Sequence, residues 1–193
     1  MFTPATDKKI ALFLADGCEE IEALTVADLA YRAGIPCTKV SITDSTTVVS
    51  SHDVTIVADT VIGALPFDEY DMLVLPGGMP GTTNLGACAK LKEEVLRHAA
   101  QGKPVAAICA APSVLASLGL LRGVRAACNP SVEELVIAGG AELVREPAVR
   151  DGRIITSRGM GTAIPFGLAV VEYYLGRETA RKLGENILYG AGS

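Results

Sequence analysis

The sequence predicts an α/β fold: one domain, residues 1–193, on a mostly parallel β-sheet with helices on both faces. Three observations carry this. Short apolar runs at residues 9–15 (K-I-A-L-F-L-A), 71–75 (D-M-L-V-L) and 104–108 (P-V-A-A-I) end at Gly, Pro or Cys, as buried central strands do. A helix-length segment follows each run, and strands alternating with helices imply parallel pairing with both sheet faces covered. Apolar residues make up 49% of the chain and charged ones 20%, enough to build a packed core of this size.

Taken in order, the strand at 9–15 closes on Asp16-Gly17. A helix is expected over 19–33, stopped by Gly34 with Pro36 just beyond. Residues 37–42 form a second strand. The Ser/Thr/Val-rich stretch 43–57 reads as a hairpin turning at Ser50-Ser51-His52-Asp53. The strand at 71–75 closes on Pro76-Gly77-Gly78, and residues 85–100 form a helix with Gly102 after it. After the strand at 104–108 a helix covers 111–118. Residues 124–128, 142–145, 148–151 and 153–156 are expected as later strands, and helices over 162–175 and 177–186 follow. There are no internal repeats or low-complexity stretches.

The formal charge of −5 argues against a nucleic-acid backbone or an anionic membrane as partner. The charge-free stretch 104–121 is interrupted by Pro112 and Gly119, so it reads as a buried strand and helix rather than a membrane span. No basic start leads into an apolar run at the N-terminus, and a cytoplasmic protein is expected. The five cysteines have no CxxC spacing, so neither a disulfide framework nor a zinc site is expected, and no cofactor is implied.

Sites in open parallel sheets form at the carboxyl ends of strands. Cys109 stands at such an end, among Ala106, Ala107, Ala110 and Ala111, with Pro112 suited to a helix's first turn. Small neighbours fit a tight strand-to-helix turn that exposes a nucleophile; the other reading is a cysteine filling space in an alanine-rich core. In the first reading the helix dipole lowers the thiol's pKa. Glu22 shares a helix face with Val26, Leu29 and Ala30, so its carboxyl should be desolvated and hold its proton, as a donor to a thiolate would. A role complementing the helix dipole fits Glu19 and Glu20 better. Gly77-Gly78 is either a plain turn or, with the Ala110 amide, an oxyanion hole. Phosphate-loop and dinucleotide-loop patterns both fail: the stretch after Gly77 has no Lys, and Ile164 stands where Gly would be needed. His52 and His98 lie away from strand ends and read as surface residues.

Five stretches in this order resemble the ThiJ/PfpI family, within it the branch of the parkinsonism-associated protein deglycase. They are G-C-E-E-I-E-A at 17–23, R-A-G-I at 32–35, L-P-G-G at 75–78, A-A-I-C-A-A-P at 106–112 and T-S-R-G-M-G-T at 156–162. The resemblance implies a flavodoxin-like fold of the class I glutamine-amidotransferase kind and a homodimer. It implies Cys109 as nucleophile, Glu22 as the protonated carboxyl beside it, and the Gly78 and Ala110 amides as oxyanion donors, with Gly77, Asn129, Ser157 and Arg158 lining the substrate pocket. The activity implied is a glutathione-independent glyoxalase or protein deglycase acting on small 2-oxoaldehydes or glycated side chains. The alternative is a redox-sensing, chaperone-like protein using oxidation of Cys109. Two departures stand out. Asn129 precedes Pro130 where that branch often has a histidine, which removes a proton shuttle. Ala110 follows the cysteine where the protease-like branch has histidine, which argues against a peptidase.

Overall fold

The computed structural model describes residues 2–190. Its centre is a seven-stranded sheet. The strands are β1 (Ile10–Leu14), β2 (Cys37–Ser41), β5 (Thr60–Val61), β6 (Met72–Leu75), β7 (Val105–Ile108), β10 (Ala148–Asp151) and β11 (Ile154–Ser157), in the order β10-β11-β7-β6-β1-β2-β5. All neighbours are parallel except the β10–β11 pair at one edge. The alternating pleat sends Ile10, Leu12 and Leu14 to one face and Ala11 and Phe13 to the other, and β1 is wholly buried. The first face packs against α1 (Glu20–Ala33) and α6 (Ala163–Asn186). The second packs against α2 (Gly81–Ala87), α3 (Ala89–Ala100), α4 (Pro112–Ser117) and α5 (Glu133–Ala138). The fold class read from the sequence is the one observed.

Local chemistry explains the element boundaries. Helix α1 ends where Gly34 takes a left-handed conformation (φ 74°) and its N–H caps the Ala30 and Tyr31 carbonyls. The hairpin β3 (Thr47–Val49) and β4 (Thr55–Val57) turns at residues 50–53, with Ser50 Oγ accepting from the His52 and Val54 amides. Helix α6 is broken at Gly176 (φ 81°, ψ 163°), dividing it where the sequence predicts two helices. The charge-free stretch 104–121 folds as β7 and α4, and among the described residues no helix is long and apolar enough to cross a membrane.

Several expectations need correction. The helix expected over 85–100 is two, α2 and α3, separated by an extended backbone at Cys88 (φ −71°, ψ 103°). The strands expected at 124–128 and 142–145 shrink to β8 (Arg125–Ala126) and β9 (Glu142–Leu143), which pair with each other outside the main sheet. Helix α5 and strand β5 escape the sequence reading because each is too short to show a period. His98 is not a surface residue: Leu91, Val95 and His98 form the buried side of α3, and Nε2 lies 3.2 Å from the Asp71 carbonyl oxygen. Its burial pushes the imidazole pKa down to about 4.

Candidate active site

The chain runs outward from β1 to β2, then crosses to lay β6 on β1's other side and β7 beyond it. This reversal leaves a crevice at the carboxyl ends of β1, β6 and β7, which is where doubly wound sheets place their sites. Gly17 to Glu19 leave β1 there, Gly77 and Gly78 leave β6, and Cys109 leaves β7. The elbow at Cys109 is tight: its backbone is left-handed (φ 64°), a conformation that costs a non-glycine residue about 1–2 kcal/mol. The Cys109 N–H donates to the Ser157 carbonyl (3.0 Å), and its own carbonyl accepts from Asn129 N–H (2.8 Å). These two bonds hold the strained turn and leave the thiol partly exposed.

Glu22, one turn into α1, is 1% exposed and reaches across to accept the Gly77 N–H on Oε2 at 2.8 Å. No side chain can stand between them. A Cβ on Gly77 would lie 2.5 Å from Cys109 Cβ and 2.7 Å from Glu22 Oε2, and one on Gly78 would lie 2.2 Å from Glu19 N. The glycine pair of the L-P-G-G motif therefore lets β6 approach both groups. Burial raises the Glu22 carboxyl to about 7, against the lowering effects of Cys109 and the Gly77 N–H.

Cys109 and Glu22 titrate as a pair. Burial, the Glu22 charge and its hydrogen bond push the thiol up to about 12, while the Gly78 and Ala110 amides pull it down. The two upward effects of Glu22 operate only when it is ionised. With the proton on the carboxyl the repulsion vanishes and the carboxyl O–H can donate to the sulfur, which the two amides already face. The pair is thus one proton held between two acceptors, and the desolvation of Glu22 controls it. The expected lowering by a helix dipole is not what the geometry provides: α4 has six residues and begins three residues after Cys109.

The remaining sequence-predicted residues divide. Asn129 packs at the elbow and accepts from Ser131 with Oδ1. The Ser157 hydroxyl is occupied by the Pro147 carbonyl (2.6 Å) and Thr162 Oγ1 (2.8 Å), so at the elbow it is its carbonyl that acts. Arg158 anchors its N–H on Thr162 Oγ1 (3.2 Å), and its buried Nε has no hydrogen-bond partner. Gly159 was missed. A Cβ there would lie 3.9 Å from both Cys109 Sγ and Glu22 Oε1, so this glycine borders the site, and its place in the T-S-R-G-M-G-T stretch was the available signal. A cavity of about 560 Å³ opens between α2, α4 and α5, lined in part by Met79, Ala110, Val114 and Leu135.

Among the described residues, the group whose atoms could hold a metal is Glu19, Glu20 and His52. Its closeness is that of an ion pair: the imidazole lies 3.1 Å from the Glu20 carboxylate, which raises its pKa. All five cysteines are free.

Fold and site together define an α/β protein with a thiol on a strained strand-to-helix elbow, paired with a buried carboxyl. The DJ-1/PfpI family profile matches residues 8–173. The chain is 34% identical to Protein dj-1beta of Drosophila melanogaster, over 94% of this chain and 97% of that one. It is 32% identical to the glutathione-independent glyoxalase DJR-1.2 of Caenorhabditis elegans, over 91% and 94%. The solved structure of oxidized Toxoplasma gondii DJ-1 superposes with a TM-score of 0.89 at 35% identity, covering 94% of this chain and 98% of that one. The chain belongs to the DJ-1/PfpI family.

Proposed function

We propose that this protein converts small 2-oxoaldehydes to 2-hydroxy acids without glutathione, using Cys109 as nucleophile and Glu22 as proton carrier. The observation that carries the reading is the pair itself: a thiol on an elbow beside a buried carboxyl whose pKa is raised to about 7. A group titrating near neutrality can both give and take a proton. A similar relative bears the name glutathione-independent glyoxalase.

The reaction balances with the residues present. The thiolate attacks the aldehyde carbon C1; the carbon–sulfur bond forms, the π pair moves to oxygen, and the Gly78 and Ala110 amides hold it. Glu22 gives its proton to that oxygen, leaving a hemithioacetal and a carboxylate. The carboxylate removes the C1 hydrogen, and the electrons form an enediolate across C1 and C2. The hydroxyl proton on C1 passes to the C2 oxygen, C1 becomes a thioester carbonyl, and Glu22 returns its proton to C2. Glu22 then takes a proton from water as the water attacks the thioester. The thiolate leaves, and the 2-hydroxy acid is released. Adducts of 2-oxoaldehydes on side chains present related carbon centres.

Methylglyoxal consumption with lactate detection, without glutathione, tests this. Lactate from the wild type, falling at least about 100-fold in Cys109→Ala and in Glu22→Gln, is the expected result. A wild type that makes no lactate sinks the reading. A second reading rests on the partial exposure of Cys109 between two amides and a carboxyl: oxidation of the sulfur as a redox signal. Peroxide-dependent gain of two oxygens on Cys109, with a change in partner binding and no turnover, would favour it.

The reading includes a cytoplasmic homodimer. Free thiols throughout suit a reducing compartment. Ile21, Leu24, Ile164 and Ile187 line one surface groove, with Ile21 and Leu24 exposed on α1, and a second copy would cover them.

A further inference from the structure

Asn129 is held by its oxygen. Oδ1 accepts from Ser131 N–H (3.0 Å) and from Ser131 Oγ (2.8 Å). A backbone N–H can only donate, so the atom facing it is the oxygen and the amide nitrogen points away. The main-chain N–H of the same residue is tied to the Cys109 carbonyl at 2.8 Å, which fixes Asn129 against the elbow. A carbon placed where Gly159 has no side chain would lie 3.6 Å from Asn129 Nδ2, 3.9 Å from Cys109 Sγ and 3.9 Å from Glu22 Oε1. Three polar atoms thus border the space in front of Gly159. Glu22 Oε1 is buried, and no hydrogen bond engages Nδ2 among the described residues.

We propose that this space over Gly159 seats the second carbonyl of the 2-oxoaldehyde, and that Asn129 Nδ2 donates a hydrogen bond to its oxygen. The proposal rests on the glyoxalase reading above and adds a catalytic residue to it. The Gly78 and Ala110 amides serve the oxygen on C1 and leave the oxygen on C2 without a donor. When Glu22 removes the C1 hydrogen, the C–H electron pair becomes the C1–C2 double bond. The C2 carbonyl π pair then moves onto its oxygen, and the negative charge arrives there. A fixed amide donor aimed at that point is worth most at this step, because it need not reorganise. Unlike an imidazole, the amide does not ionise over the working pH range, so its contribution does not change with pH. Asn129 therefore keeps the step supported without a proton shuttle.

Asn129→Asp separates this role from a purely structural one. Aspartate keeps an oxygen for both Ser131 donors and replaces the free N–H group with an acceptor. A capping role predicts wild-type turnover in Asn129→Asp; the donor role predicts loss. Asn129→Ala removes the donor without adding a charge. We expect kcat for methylglyoxal to fall about 10- to 100-fold in both variants, with KM within about three-fold. The rate of Cys109 alkylation by iodoacetamide in Asn129→Ala should stay unchanged, which separates the effect from a change in the thiol. Turnover in either variant within about two-fold of an active wild type overturns the proposal and leaves the glyoxalase reading standing. No lactate from the wild type overturns both.

Discussion

In the proposed reaction Glu22 carries the proton, and the burial of its carboxyl costs the fold stability once that proton is lost. Its folded pKa of about 7 lies above the ordinary 4.5, so the native state binds this proton more tightly than the unfolded chain does. The contribution to folding is therefore fully present below pH 4.5 and is lost as pH rises through about 7. From the size of that shift the loss is about 3 kcal/mol. Glu22→Gln has no such proton. Urea unfolding at pH 5 and pH 8 should show the wild type losing about 2–3 kcal/mol more than the variant across that interval. Parallel pH dependence in the two proteins would contradict the buried carboxyl. Cys109 is the second residue under load. Glycine accepts φ 64° without cost, whereas alanine retains the strain. Cys109→Gly should therefore be more stable than Cys109→Ala by about 1 kcal/mol, read from paired thermal melts.

At the scale of elements, the helices are set by what they bury and by how they stop. Helix α3 docks through Leu91, Val95 and His98. An imidazole held down to about 4 must be protonated for acid unfolding. Its folded pKa lies below the ordinary 6.5, so the unfolded chain binds the proton more tightly and stability is lost as pH falls from 6.5 to about 4. His98→Leu should flatten the stability curve over that interval while costing about 1 kcal/mol at pH 7 for the contact with the Asp71 carbonyl. An unchanged acid limb would mean that His98 titrates in contact with water. Helix α1 depends on Gly34, where a Cβ would lie 2.8 Å from the Thr3 oxygen as well as strain the cap. Gly34→Ala should lower stability by about 1–2 kcal/mol in the same denaturation assay.

For the whole molecule, the order of strands decides where function can sit. Placing β6 on the far side of β1 from β2 brings three strand ends together, and each supplies a different part: the neighbour of Glu22, the glycine turn and the thiol. The opposite ends of the strands carry ion pairs such as Lys8–Asp71 and Lys9–Glu69. These are surface contacts that water and salt screen, and they add little to stability. The proposed homodimer belongs to this scale too. Ile21→Glu on the exposed side of α1 should shift the protein from dimer to monomer in sedimentation analysis, without loss of helical circular dichroism. A monomeric wild type would remove the partner from the reading.

Much of this was legible in the residues. Apolar runs of five to seven residues closed by glycine, proline or cysteine locate β1, β6 and β7, because a buried parallel strand needs apolar side chains on both faces. The period of α1 put Glu22 among Val26, Leu29 and Ala30, and the same side of the helix is buried. Short elements such as α5 and β5 were not legible, since six residues or two show no period. Nor was the inward turn of His98, which depends on what α3 packs against. The left-handed backbone at Cys109, the direction of the Asn129 amide and the approach of Gly159 to the sulfur were decided only in three dimensions. Each is set by hydrogen bonds or packing between segments far apart in the chain, and pairings of that kind leave no periodic trace in sequence. The sequence by itself determined which residue types stand at which strand ends. The tertiary structure decided that Cys109, Glu22, Asn129 and Gly159 share one space, because the crossover of β6 past β1, the pairing of β11 with β7 and the backbone bond from Asn129 to Cys109 bring segments far apart in the chain together.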